Sequence, residues 1–234
     1  HTVEALVAAA RERGYAYVLV SDHSRSTRIA GGLTAEEALA HVEKIRAVGR
    51  KQRGITVLAG SECDILPDGS LDYPDDVLAQ MDLVVAAVHS RFKQPRAEMT
   101  KRICRALENP YVNILAHPTG RLIGLREPYA VDLEAVFAAA RRYGKALEIN
   151  CYPERLDLND VHARRARELG VLLAINTDTH ALDQLDTMRL GVATARRAWV
   201  EPAEVINTWP VGQLRAWARK TLKPGRRRVA AGAA

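Results

Sequence analysis

The sequence is short of most features that would place it in a specialised class. Aromatic residues fill only 5% of its 234 positions, so any core must be built from Leu, Val, Ile and Ala. Cysteine is scarce: Cys63, Cys104 and Cys151 are the whole supply, an odd number with no CxxC spacing. That excludes a disulfide framework and fits a reducing, cytoplasmic compartment. No apolar run reaches the length that crosses a bilayer, and no signal peptide is visible, so no membrane partner is expected. GxSxG, P-loop and GxGxxG motifs are absent, which withdraws support from a serine hydrolase, an NTPase and a dinucleotide enzyme. Acidic residues fall short of basic ones, 28 against 34, for a net charge of +6. The surplus favours an anionic partner such as nucleic acid or phosphate. Part of it lies in the run from Lys223 to Arg228, and it is not concentrated into a basic stripe.

What is present is the composition of one globular α/β domain, 47% hydrophobic and 26% charged,. Apolar runs predict strands at 15–20 (YAYVLV), 55–59 (ITVLA), 83–88 (LVVAAV), 112–116 (VNILA), 146–149 and 171–176 (VLLAIN),. Between them the pattern predicts helices at 3–13, 35–53, 75–80, 97–108, 133–143, 159–169 and 184–199. Two short helices follow, near 202–207 and 211–222. Thr2 and Thr34 stand where N-caps are needed, and Glu37 completes a capping box with Thr34,. Gly14 and Gly144 are placed to stop helices,. No Pro/Gly/Ser-rich linker interrupts the alternation, which is that of a parallel sheet or barrel over 1–222, with a basic, disordered tail at 223–234,.

The chemistry sits at the strand ends. The stretch VLLAINTDTH runs apolar and then stops at Asp178 and His180, two residues apart and so on one face of a strand,. Other strands end the same way, at Asp22-His23, at Glu62, at His89 and at His117. In a parallel barrel all those ends meet on one face. Imidazole and carboxylate together suit Zn, Mn or Fe(II). There are more donors than one ion needs, and Glu62 could bridge two ions about 3.5–4 Å apart, the spacing used for phosphoester cleavage. Asp22 points to the opposite face from His23 and is expected to support a ligand or a turn. His41 and His162 lie within helices and are expected on the surface or in a groove. Cys63 should face away from the pocket, and Cys151 should pack in the core.

In this order, SDHS, GSECDI, AAVHSRF, LAHPTGR and INTDTH resemble the PHP (polymerase and histidinol phosphatase) superfamily of metal-dependent phosphoesterases. The stretches AGGLTAEEAL, PDGSLDYPDDVLAQMDLVV and HPTGRLIGLREP resemble the C-terminal PHP domain of bacterial family X DNA polymerases. The resemblance implies a distorted (β/α)7 barrel with up to three divalent ions at its C-terminal face, Mn or Zn, with Fe also feasible. It implies 3′–5′ exonuclease and 3′-phosphatase activity on DNA 3′ ends in DNA repair, alongside an upstream polymerase domain. By position, His23 and His180 would hold one ion, and Glu62, His89 and His117 a second. Glu62 would bridge to a third ion shared with Asp178. Arg121 is the first choice for binding phosphate, followed by Arg91, Arg28 and Arg155, with Asn150 as a hydrogen-bonding residue for substrate.

The family opens with a strand carrying an HxH motif, whereas residues 1–3 match the helix that follows it. The chain is therefore expected to lack that strand and its ligands, to leave two strands with unpaired edges, and by itself it could be inactive. The alternatives are a stand-alone phosphomonoesterase of the histidinol-phosphatase kind and a non-catalytic PHP domain that supports a polymerase. The six intact ligand positions argue against the latter.

Overall fold

A computed structural model of the chain describes residues 1–27 and 31–221. The tail at 223–234 and Arg28 lie outside the described residues. The elements alternate as read from the sequence: α1 (Val3–Glu12), β1 (Tyr17–His23), α2 (Ala35–Arg50), β2 (Thr56–Asp64), α3 (Asp75–Leu78), β3 (Leu83–Ala87) and α4 (Arg96–Glu108). Then come β4 (Ile114–Leu115), α5 (Leu133–Tyr143), β5 (Ala146–Asn150), α6 (Asp160–Glu168), β6 (Leu172–Asn176), α7 (Met188–Arg197) and α8 (Val211–Thr221). The helix starts follow their chemistry. Thr2 Oγ1 accepts from Ala5 N, and Thr34 and Glu37 form the reciprocal capping box,. Gly144, at φ 68°, closes α5 in the left-handed conformation that favours glycine,.

Among the described residues, six strands form one parallel sheet in chain order, β1 to β6. A doubly wound sheet reverses its strand order partway. This one never does, and the sheet curls into a half-barrel. Along β2 the period of two divides the faces: Val57 and Ala59 pack outward with α1 and α2, while Leu58 faces inward with Leu83, Val85 and Ile114,. Gly60 is needed on β2, because a Cβ there would lie 2.3 Å from the Leu83 carbonyl oxygen. Leu214 and Ala218 of α8 pack into the inner cluster.

β1 and β6 are the edges of the sheet. Residues 205–209 join them in part. Val205 bridges to Leu173, and the Asn207 side chain pairs with both main-chain groups of Ile175, as a neighbouring strand would. The Tyr17 hydroxyl donates to the Trp209 carbonyl at 2.9 Å. A cleft of about 900 Å³ opens along these edges, lined by Tyr17, Leu19 and Ser21 of β1 and by Ala174 and Asn176 of β6.

Several boundaries differ from the pattern in the sequence, and three of them bear on the site. β1 continues to His23 and β2 to Asp64, because main-chain pairing is indifferent to the polar side chains that end the apolar runs. The predicted helix at 184–199 is divided into a 3-10 turn, Leu182–Thr187, and α7. The Gln184 amide oxygen accepts from the main-chain N–H of His180 and Ala181 and winds that tighter turn. No described helix is long and apolar enough to cross a membrane.

Candidate metal centre

The strand register delivers the ligand-type side chains to one place. His23 and Glu62 are direct partners across β1 and β2. His89 and His117 each follow two residues after the last residue of β3 and β4, and Asp178 two residues after β6. His117 and Asp178 adopt positive φ, 27° and 52°, which turns the chain away from the strand line at those points,. The buried guanidinium of Arg102 on α4 donates to the carbonyls of Ile65 and Ser90. It thereby ties together the chain just past β2 and just past His89.

Glu62 is the centre. Its Oε1 lies 3.0 Å from His117 Nε2 and 3.3 Å from His89 Nε2, and its Oε2 lies 3.7 Å from His23 Nδ1. The rings crowd together, with centroids 5.1 Å apart for His23 and His89 and 5.2 Å for His89 and His117. Burial of the Glu62 carboxyl would raise its pKa. The imidazoles of His117 and His89 outweigh that and hold it well below the usual carboxylate range,. Burial pulls His89 down, but hydrogen bonds to Asp64 and Glu62 prevail and push it up to about 9. His23 moves down because burial outweighs the attraction of Glu62.

The donors fit a cation. His23 Nδ1 is buried with no hydrogen-bond partner, and it faces Glu62 Oε2 across a gap too long for a hydrogen bond,. Ligand atoms of His23, Glu62 and His89 all lie within 4.8 Å of one another. An imidazole and carboxylate set with no thiolate suits Zn, Mn or Fe(II).

On the β6 side the groups are looser. Asp178 Oδ2 accepts from Asn150 Nδ2 at 3.1 Å and lies 3.6 Å from Arg155 Nε. His180 stacks loosely on His23, with centroids 5.9 Å apart, and its side chain is 59% exposed. Its Nδ1 is turned back onto the Asp178 carbonyl at 2.8 Å.

The residues expected around the ligands are dispersed. Asp22 lies away from the cluster, and its carboxylate pairs with His41 of α2 at 2.7 Å. Arg121 Nε donates to the Arg155 carbonyl at 2.7 Å and its Nη2 to the Leu156 carbonyl at 2.5 Å, so it braces the 155–156 turn. Among the described residues, Arg155 is the expected arginine that reaches Asp178, while Arg91 is exposed on a residue at φ 54°. Asn150 is fully buried and holds Asp178 and Glu148. Cys63 and Cys151 both lie in the buried outer core.

Two buried carboxylates that bond to His89 or His117 escaped the sequence reading. Asp64 contacts His89 Nδ1 at 2.5 Å. Its signal was available: it stands two residues after Glu62 and so shares a strand face with it. Glu148 accepts from His117 N at 2.7 Å, Asn150 Nδ2 at 3.1 Å and Asn176 Nδ2 at 2.9 Å. Burial and the nearby charges of Asp178 and Glu62 raise its pKa to about 8, against the opposing pull of those hydrogen bonds. An acid inside the apolar run ALEIN was its signal,.

Known proteins share this sequence to different extents. A Bacillus subtilis (strain 168) protein named DNA polymerase/3′-5′ exonuclease PolX is 43% identical over 94% of the chain. The chain spans only 38% of that relative's length. A probable phosphatase from Shewanella sp. (strain ANA-3) is 30% identical over 76% of the chain and 70% of its own length. A probable phosphatase from Thermoanaerobacter sp. (strain X514) is 27% identical over 98% of the chain and 92% of its own length. No family model matches.

Proposed function

Because the chain belongs to the PHP superfamily of phosphoesterases, we propose that it hydrolyses phosphoester bonds at DNA 3′ ends with the help of divalent metal ions. It would act as the PHP part of a family X DNA polymerase in DNA repair, with 3′–5′ exonuclease and 3′-phosphatase activity. The observation that carries the metal reading is the convergence of His117, His89 and His23 on the two oxygens of the buried Glu62 carboxylate. The 43% identity to the Bacillus protein supports the DNA 3′ end as substrate and a polymerase domain as neighbour.

Glu62, His89 and His117 would hold one ion, His23 and His180 a second, and Asp178 with Glu62 a third. When bound, Mn or Zn would supply Lewis acidity, acidifying water and offsetting phosphate charge. The protein's own residues do the rest. The imidazoles of His117 and His89 favour the ionised form of Glu62 against the cost of its burial,. Asn150 fixes Asp178 by a hydrogen bond. Arg155, beside Asp178, is the cation best placed to meet a phosphate, with Arg91 and Arg121 further out,. The edges of β1 and β6 flank the cleft of about 900 Å³, which supports a (β/α)7 barrel in which one further strand lies between them,.

A second reading, a phosphatase of small phosphomonoesters, is favoured by the likeness to probable phosphatases along 92% and 70% of their lengths. One assay separates the two. The chain, alone and joined to its natural neighbouring sequence, is given a 3′-phosphorylated primer or histidinol phosphate, with Mn²⁺, Zn²⁺ or chelator. Metal-dependent release of phosphate from the primer is expected, and Glu62→Ala abolishes it. Turnover of histidinol phosphate alone would establish the second reading, and activity undiminished by chelator would overturn both metal roles.

A further inference from the structure

Asp64 does not face the cluster from the side of Glu62. It meets His89 from behind. Its Oδ1 lies 2.5 Å from His89 Nδ1, while the other ring nitrogen, Nε2, lies 3.3 Å from Glu62 Oε1. The carboxylate is not free to turn. Its second oxygen accepts from Ser26 Oγ and, at 3.1 Å, from Thr27 Oγ1. Its main-chain N–H donates to Ser24 Oγ at 2.9 Å, and its carbonyl accepts from Asp72 N at 3.0 Å. Its side chain is only 4% exposed.

A neutral imidazole carries one hydrogen, on either nitrogen. With the hydrogen on Nε2, two acceptors would face each other at the Asp64 contact. With the hydrogen on Nδ1, the contact is a charge-assisted hydrogen bond, and the Nε2 lone pair is directed toward the Glu62 side. We propose that Asp64 is a positioning residue: it holds His89 in its Nδ1–H tautomer and so presents Nε2 to the ion that Glu62, His89 and His117 would share. This rests on the metal reading above. Supporting carboxylates of this kind set ligand tautomer and orientation, and their loss commonly weakens metal binding by about 10–100-fold.

The test uses the chain stripped of metal, titrated with Mn²⁺ or Zn²⁺ by calorimetry, with histidine ring nitrogens followed by ¹⁵N NMR. Asp64→Asn keeps the shape but can either accept from or donate to Nδ1. It is expected to weaken the tightest ion by about 10–100-fold and, in the metal-free chain at a pH high enough for the His89 imidazole to be neutral, to populate its Nε2–H tautomer. Ser26→Ala removes one of the two hydroxyls that hold the other oxygen of Asp64 and leaves in place Thr27, whose Oγ1 also lies 3.4 Å from His89 Nδ1; it should shift both readouts the same way by less. A purely structural role would lower the melting temperature and leave the tautomer alone. Unchanged affinity and tautomer in Asp64→Asn, or in Ser26→Ala should Asp64→Asn fail to fold, overturn the proposal. A parent chain that takes up neither ion overturns the metal reading and this one with it, which distinguishes the two failures.

Discussion

At the ends of β2, β3 and β4, Glu62, His89 and His117 are buried or nearly so and lie within 3.3 Å of one another through Glu62 Oε1. At the end of β6, Asp178 is held by Asn150, and His180 is mostly exposed and bonds to its own neighbour's main chain. His23, at the end of the other edge strand, reaches Glu62 only at 3.7 Å. The difference follows from the sheet. β2, β3 and β4 are each paired on both sides, so register and neighbouring helices fix the side chains at their ends. β1 and β6 have one partner strand each; His180 beyond β6 settles onto its own neighbour's main chain, while His23 of β1 keeps an unpartnered Nδ1 toward Glu62. The closest contacts of the cluster are those made from the interior strands.

The largest effect should come from the shared carboxylate. Glu62→Ala is expected to reduce metal-dependent turnover by about 10³-fold or more, the order seen when a principal charge-stabilising group is lost. Turnover near that of the parent would remove Glu62 from the centre of the comparison. Next come two parallel substitutions. His117→Ala should weaken the tightest ion by about 100-fold, and His180→Ala by less than about 10-fold, since second-sphere losses alone reach that range. Calorimetric titration of each, with circular dichroism to check folding, decides it. Equal losses would mean that the edge strands are as well organised as the interior.

A smaller effect separates the corners by pH. His89 in the ion-free chain is raised to about 9 from an unfolded value of about 6.5,. A raised histidine pKa contributes stability that is complete below the unfolded value and is lost as pH rises through the folded one. The melting temperature of the ion-free chain should therefore fall between about pH 6.5 and 9, by an equivalent on the order of 3 kcal/mol,. Asp64→Asn should flatten that slope, and a pH-independent melting curve in the parent chain would contradict it. The smallest effect belongs to the edge: His180→Ala should change stability in denaturant by no more than about 0.5 kcal/mol, as for an exposed side chain without a buried partner. A larger change would reveal a contact there that matters to the fold.

Much of this was legible along the chain. The apolar runs located six of the described strands, and the polar residues closing five of those runs pointed to His23, Glu62, His89, His117, Asp178 and His180 as candidate ligands. The reading failed where a strand continued past its apolar residues. β2 was expected to stop at 59 and runs to Asp64, which hid the carboxylate behind His89. Arg121 was favoured because it follows His117 closely, yet its donors turn to the 155–156 carbonyls, and Arg155 is brought to Asp178 from elsewhere in the chain.

Local sequence thus determined which elements form and which side chains stand at their ends, because periodicity, capping and turn chemistry act over a few residues. The tertiary structure decided which of those ends meet, which nitrogen of His89 faces Glu62, and which carboxylates stand behind the ligands. Those outcomes depend on strand register and sheet curvature, and on burial that makes a hydrogen bond between distant residues strong enough to hold. None of these has a counterpart in spacing along the chain.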